Sequence, residues 1–178
     1  MKRLVKGALL VTGTALAISV APAIPAVAAA SGSETFGGII VFAAVPGTNT
    51  RTVVSSVVVA KGVFRGVGRF AELVPADSAG VSRDDLLFPK GTLHLVNTLV
   101  PESLSFSVNP HSCLFTGTEQ VTWEVTGGTG RFAGATGSFT GTVSGRALLA
   151  RNPDGSCSLT QTPLHEVDKF VESGTLSF

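Results

Sequence analysis

Residues 125–141 read VTGGTGRFAGATGSFTG, and the pattern on either side of this stretch indicates the fold. Before it, Val121, Trp123 and Val125 alternate with polar residues, and after it Phe139 and Val143 resume the alternation. Successive side chains of a β-strand point to opposite faces, so both flanks are predicted to be strands with one apolar face. The glycine-rich segment then has to reverse the chain between them.

This segment is predicted to be a tight bend, because glycine adopts a positive φ without steric cost. We expect Phe132 to fold back and plug one end of the structure. The residues assigned to the bend are Gly127, Gly128, Gly130, Arg131, Phe132 and Gly134. A phosphate-binding loop is the alternative interpretation of the glycines. Such loops lead into a helix, however, whereas the strand pattern resumes here within a few residues.

The same alternation extends through the rest of the chain. Strands are predicted at residues 35–45, 52–60, 62–73, 91–100, 103–108, 112–125, 139–151 and 158–178, with the longest loop at 77–85. Turn sequences such as Pro46-Gly47 and Asn152-Pro153-Asp154-Gly155 separate them. Eight strands in succession with short turns predict an all-β, up-and-down antiparallel barrel, since closure removes exposed sheet edges. A two-sheet sandwich is the alternative.

The composition excludes several classes of protein. The chain has 178 residues, 44% of them hydrophobic and 14% charged, with 21 glycines and a formal net charge of +1. This length fits one domain with a real core, and the composition is not that of a coiled coil or a disordered chain. Nucleic-acid partners are not expected, because binding phosphates needs a basic surface. A homo-oligomer is compatible with the sequence, and no cofactor or metal is expected.

Residues 1–30 are predicted to be a secretory signal peptide that is cleaved after Ala28 or Ala30, leaving a domain at 31–178. A basic start, an apolar stretch at 8–20, two prolines and a run of small residues are typical of such peptides. A membrane anchor is the alternative, but the apolar stretch is shorter than the roughly 20 residues a spanning helix needs. Removing three basic residues leaves ten against twelve acidic ones, a net charge near −2. The mature protein is therefore expected to be secreted, with no stable membrane span after cleavage.

Two cysteines, Cys113 and Cys157, are predicted to form a disulfide. An even number of cysteines in an exported chain usually indicates a bridge. The spacing does not match that of common zinc sites.

The segment Gly127–Gly137, GGTGRFAGATG, resembles one shared by the allene oxide cyclase and dirigent barrel families. It is most similar to the small exported bacterial members of this group. Supporting segments are GVF at 62–64, FPKGTL at 88–93 and NPHSC at 109–113. The resemblance implies an eight-stranded antiparallel barrel with a hydrophobic lumen that holds a small apolar molecule.

The lumen of such a barrel is either filled by side chains or holds one small ligand. His94 would face the lumen if its neighbours Leu93 and Leu95 face outward. Phe106 shares one face of its predicted strand with Leu104 and Val108. We therefore expect its ring to pack in an interior from which water is excluded. The residues predicted to line the lumen are Phe64, Phe106, Trp123, Phe139 and His94.

Three functions remain open at this point. The first is binding of a small apolar molecule in the lumen without catalysis. The second is an isomerase or cyclase of allene-oxide-cyclase type, or a dirigent-like protein that steers the coupling of a bound substrate. The third is a purely structural barrel. An open lumen with a buried carboxylate of shifted pKa would favour the enzyme, and a lumen filled by aromatic rings would favour structure. No catalytic residue can be assigned from the sequence.

Overall fold

The structure is a computed structural model that describes residues 30–178. The strands are β1 (Ser31–Ala44), β2 (Arg51–Gly62), β3 (Arg65–Val74), β4 (Val81–Phe88), β5 (Gly91–Leu99), β6 (Ser105–Asn109), β7 (Leu114–Gly128), β8 (Thr136–Leu148) and β9 (His165–Ser177). A short 3₁₀ turn, Gly130–Phe132, lies between β7 and β8. Buried and exposed positions alternate along most strands, because one face of the sheet surrounds the lumen and the other faces solvent.

Eight of the nine strands in residues 30–178 close into an antiparallel barrel, which confirms the predicted fold class. The strands pair in the order β1, β2, β3, β4, β5, β7, β8, β9, and β9 pairs with β1. β6 pairs with Leu114–Thr118 at the start of β7, and β5 pairs with the later part of the same strand, from Val121 to Gly128. β6 is therefore an extension beyond the barrel rim.

The predicted number of barrel strands is right because two errors cancel: β4 was missed, and residues 103–108 were counted as a barrel strand. The loop predicted at 77–85 is wrong in part, because β4 begins at Val81. This strand was missed because Ser82 and Asp84 occupy inward positions, where the pattern leads one to expect apolar side chains. Conversely, residues 103–108 were predicted to form a barrel strand but contribute to β6. The strand predicted at 158–178 begins only at His165, so that residues 149–164 form the longest connection.

Aromatic rings fill one half of the barrel, which we call the closed half. The ring of Phe132 lies 4.9 Å from Phe64, 5.1 Å from Phe178 and 5.9 Å from Phe88, measured between centroids. Deeper in the lumen, Phe36 lies 5.1 Å from Phe139. Rings at these separations are in contact and form a packed core.

The β7–β8 bend carries Phe132 into the closed half, at the place where the glycine run predicts it. Gly130 and Gly134 have φ values of +57° and +77°, and Gly127 has +153°. A Cβ on Gly128 would collide with the carbonyl oxygens of Thr92 and Phe132. The guanidinium of Arg131 lies over the ring of Phe178, 5.2 Å from its centroid.

Cys113 and Cys157 form a disulfide with Cα atoms 5.3 Å apart, which confirms the predicted pair. The bridge connects the turn before β7 to the 149–164 connection. Arg151 donates hydrogen bonds to the carbonyl oxygens of Gly155 and His111, at 2.7 and 2.6 Å. The disulfide therefore fixes two loops at the end of the barrel opposite Phe132.

The predicted signal peptide lies outside the described residues, except for Ala30. Within residues 30–178 there is no helix long and apolar enough to cross a membrane.

Candidate functional site

The other half of the lumen, which we call the open half, contains a cavity of about 230 Å³. Its walls combine aromatic and polar side chains. Trp123 and Phe170 lie 5.2 Å apart, and the rings of Phe42 and Phe70 meet edge to face at 6.5 Å. The polar lining residues are Arg51, Glu72, Ser82, Asp84, Asn97, Glu119 and Asp168. They come from β2, β3, β4, β5, β7 and β9, whose inward positions converge because the barrel is closed.

Arg51 is fixed at the mouth of the cavity by two carboxylates and an aromatic ring. Its guanidinium donates to Glu72 Oε1 at 2.9 Å and to Glu166 Oε2 at 2.6 Å. The same group lies 3.9 Å from the centroid of the Phe42 ring. Charge-assisted hydrogen bonds to both arms of the guanidinium and a cation–π contact hold Arg51 in one orientation.

Three further carboxyl groups line the cavity and are harder to ionise than usual. Burial, together with the nearby charge of Glu166, raises the pKa of Asp168 to about 7. Burial likewise raises the pKa of Asp84 to about 6, although Ser82 Oγ donates a hydrogen bond to Asp84 Oδ2 at 2.7 Å. Burial also raises the pKa of Glu119. Asp84 and Asp168 can therefore exchange protons close to neutral pH.

Three polar atoms of the lining are buried without a hydrogen-bond partner among residues 30–178. They are Asp84 Oδ1, Asn97 Oδ1 and Trp123 Nε1. Asn97 and Trp123 are paired across β5 and β7, so their side chains face the lumen side by side. Buried polar atoms are normally satisfied, and leaving one unpaired costs about 1–3 kcal/mol. The lining residues thus carry two acceptors and one donor that the described chain does not satisfy.

Two more carboxyl groups are buried in the barrel but do not line the cavity. Glu34 Oε2 accepts a hydrogen bond from the Phe64 backbone N–H at 3.0 Å, and burial raises the pKa of Glu34. Burial raises the pKa of Glu172 to about 8. Its carboxyl group occupies the space that a side chain at Gly141 would fill. We assign Glu34 and Glu172 to the core and not to the site.

Of the residues predicted to line the lumen, Trp123 is the one that borders the cavity. Phe64 and Phe139 do face the lumen, but they belong to the packed closed half. The side chain of Trp123 shares its face with Glu119 and Val121, as alternation along β7 predicts.

The prediction for His94 is wrong. Leu93 and Leu95 are buried in the lumen, so His94 points outward, with 42% of its side chain exposed. Its Nδ1 lies 2.7 Å from Asp85 Oδ1 on the neighbouring strand. The sequence left the direction of alternation open here, and the structure shows the leucines inside.

The prediction for Phe106 is also wrong. Phe106 lies on β6, outside the closed barrel, and is 52% exposed. Its ring stacks on Phe115, with centroids 5.4 Å apart. The apolar face that it shares with Leu104 has no lumen to pack against, because β6 is the extra strand.

Sequence reasoning missed most of the polar cavity. Asp84 was placed in a loop, and Arg51, Glu72 and Asp168 were not considered. A usable signal was present in β9, where Glu166, Asp168, Phe170 and Glu172 share one face. Charged residues at the inward positions of a barrel strand indicate a polar interior or a site.

The fold and site define this protein as a closed β-barrel with one packed half and one polar cavity. Comparisons with protein-family models, with curated proteins and with solved structures give no match to the chain. Within residues 30–178 no group of three or more His, Cys, Asp or Glu side chains is arranged to hold a metal ion. The chemistry of the cavity therefore has to be inferred from its own residues.

Proposed function

We propose that the protein is an exported barrel that binds a small, mainly apolar molecule in its open half without transforming it. The observation that carries this proposal is the cavity, whose lining holds three unpartnered polar atoms beside four aromatic rings. Ligand sites are typically largely apolar, with a few polar groups that fix the orientation of the ligand. The disulfide supports export, since such bridges persist in oxidising compartments.

Binding can be tested with N-phenyl-1-naphthylamine, an uncharged fluorophore, and with native mass spectrometry of the purified chain. We expect one saturable probe site per chain, or a small molecule that co-purifies. Val143 lines the cavity, so Val143→Phe should fill it and weaken probe binding at least tenfold. Thr142→Phe is the matched control, because Thr142 is exposed on the outer face of the same strand. A folded protein that binds neither probe nor co-purifying ligand would favour the purely structural barrel.

Export can be tested separately by expressing the full chain in a secreting host. N-terminal sequencing of the protein in the medium should find a start between Ala29 and Ser31. A chain retained in the cell with an intact N-terminus would contradict export and leave the binding proposal in place.

An isomerase or cyclase, the activity implied by the allene oxide cyclase resemblance, is the second candidate. The observation that favours it is the pair of lining carboxyl groups, Asp84 and Asp168, whose raised pKa values of about 6 and about 7 suit proton transfer near neutral pH. A co-purifying ligand should then be converted by fresh enzyme, as followed by chromatography with mass detection. Asp168→Asn should stop the conversion while ligand binding continues. A ligand that is returned unchanged would support binding without catalysis.

A further inference from the structure

Acidic side chains outnumber basic ones in the lining of the cavity. Arg51 is the cation of the lining, and both arms of its guanidinium are already engaged by Glu72 and Glu166. Two carboxylates bound to one guanidinium leave this group with a net negative charge. Arg51 therefore has little capacity left to neutralise the other acidic groups or to bind an anion.

Three more carboxyl groups share the cavity with this cluster. Asp84, Glu119 and Asp168 make no salt bridge within the part of the chain that the structure describes. Buried carboxylates that make no salt bridge are costly to ionise, and burial raises the pKa of each group even though the charge of Arg51 opposes the shift. A cation in the cavity would remove that cost.

An independent observation points to a missing donor at the same place. Asp84 is 2% exposed, and its Oδ1 has no hydrogen-bond partner among residues 30–178. The other oxygen of this carboxyl already accepts from Ser82. Asn97 also lines the cavity, and its Oδ1 is a buried acceptor without a partner in the same part of the chain. An ammonium group carries three N–H donors and no acceptor, which suits a lining with unpartnered acceptor oxygens.

The aromatic walls favour a cation with a carbon skeleton. Trp123 and Phe170 line the cavity near the carboxyl groups, and a cation over an aromatic ring gains further stabilisation. The cavity already contains one such contact, between Arg51 and Phe42. A strongly hydrated metal ion would leave these apolar walls uncovered.

We propose that the ligand of the open half is a small organic cation, an alkyl- or cycloalkylammonium whose charge is neutralised by the carboxyl groups of the lining, Asp84 and Asp168 among them, and whose carbon skeleton packs on Trp123 and Phe170. This inference rests on the proposed binding function and specifies its ligand class.

Binding of such a cation is coupled to protons. Asp168 is faced by charged groups from four strands: Arg51 on β2, Glu72 on β3, Glu119 on β7 and Glu166 on β9. A bound ammonium lowers the pKa of Asp168 from about 7, so the group loses a proton near neutral pH. The heat of binding at pH 7 should therefore depend on the ionisation enthalpy of the buffer.

Three probes with the same ring separate charge from shape: cyclohexylamine, cyclohexanol and cyclohexanecarboxylate. Their binding can be followed by calorimetry and by the emission of Trp123, the one tryptophan in the sequence. We expect cyclohexylamine to bind at least tenfold more tightly than cyclohexanol and to release protons, and cyclohexanecarboxylate to bind most weakly. Asp168→Asn should reduce the preference for the amine about tenfold. Glu124→Gln is the matched control, because Glu124 is exposed on the outer face of β7.

The outcomes distinguish this inference from the function on which it rests. Equal binding of the amine and the alcohol would overturn the cation proposal and leave apolar binding in place. Tighter binding of the carboxylate would show that the cavity takes anions. Failure of all three probes, together with failure of N-phenyl-1-naphthylamine, would overturn both proposals.

Discussion

The two halves of this barrel are built on the same strands but are stabilised differently. At the closed half, Phe132 and its neighbouring rings fill the lumen. The buried carboxyl group of Glu34 accepts a hydrogen bond from the backbone N–H of Phe64. At the open half, inward positions hold acidic side chains around a cavity, and the loops beyond it are joined by the Cys113–Cys157 disulfide. Packing secures one end, and a covalent link secures the loops at the other. The packed core and the cavity thus occupy different parts of one lumen.

The largest expected effect is a difference in stability: removing a packed aromatic ring should lower the free energy of unfolding more than removing an exposed one. Phe132→Ala removes a ring that is 1% exposed and should lower the free energy of unfolding by about 3–5 kcal/mol, as measured by urea denaturation. Phe106→Ala is the matched control, and the half-exposed ring should cost less than about 1.5 kcal/mol. Equal losses would mean that the closed half is not a packed core.

Reduction of the disulfide tests the other end. The bridge joins residues 44 positions apart, and its loss should lower the free energy of unfolding by about 2–5 kcal/mol. Urea denaturation with and without dithiothreitol measures the change. The Cys113→Ser/Cys157→Ser double variant should be insensitive to the reductant. Two free thiols in a non-reducing peptide map of the purified protein would contradict the bridge.

A smaller effect is expected at the bend that carries Phe132. Gly130→Val places a β-branched side chain at φ +57° and should destabilise the fold by about 1–3 kcal/mol. A Cβ there would also lie 2.5 Å from the carbonyl oxygen of Lys90. Gly134→Val is the control, because its φ is also positive but its Cβ would meet open space. We expect the control to lose less stability, and an unchanged denaturation midpoint for Gly130→Val would contradict the strain.

The smallest effect concerns the pH dependence of the open half. Asp84 and Asp168 have folded-state pKa values of about 6 and about 7, above their usual range. The unfolded chain therefore loses these protons at lower pH than the folded chain, so stability falls as pH rises from about 4 to about 7. Asp168→Asn should remove part of this fall, roughly 1–2 kcal/mol, because each pKa unit corresponds to about 1.4 kcal/mol and solvent at the mouth screens part of it.

Urea denaturation across this pH range measures the effect. Glu124→Gln should retain the pH dependence of the original chain. A profile for Asp168→Asn that coincides with that of the original chain would show that Asp168 does not titrate abnormally.

The failed predictions have a common physical cause. For His94 the sequence supplied the alternation but not its direction, because leucines can face either a lumen or an outer surface. For Phe106 it supplied an apolar face but not the pairing that places β6 outside the barrel. For Asp84 it supplied a polar segment that is typical of a loop, although the residue lies on a barrel strand beside an unfilled cavity.

The sequence by itself determined most of the local features: the strands other than β4, the glycine bend and the disulfide pair. Each of these depends on neighbouring residues or on residue type, as with the positive φ of Gly130. The polar cavity was decided only by the tertiary structure. Arg51, Asp84 and Asp168 lie far apart in the chain, and closure of the barrel brings them to one lumen. Their shifted pKa values arise from that burial and mutual approach, which no local pattern contains.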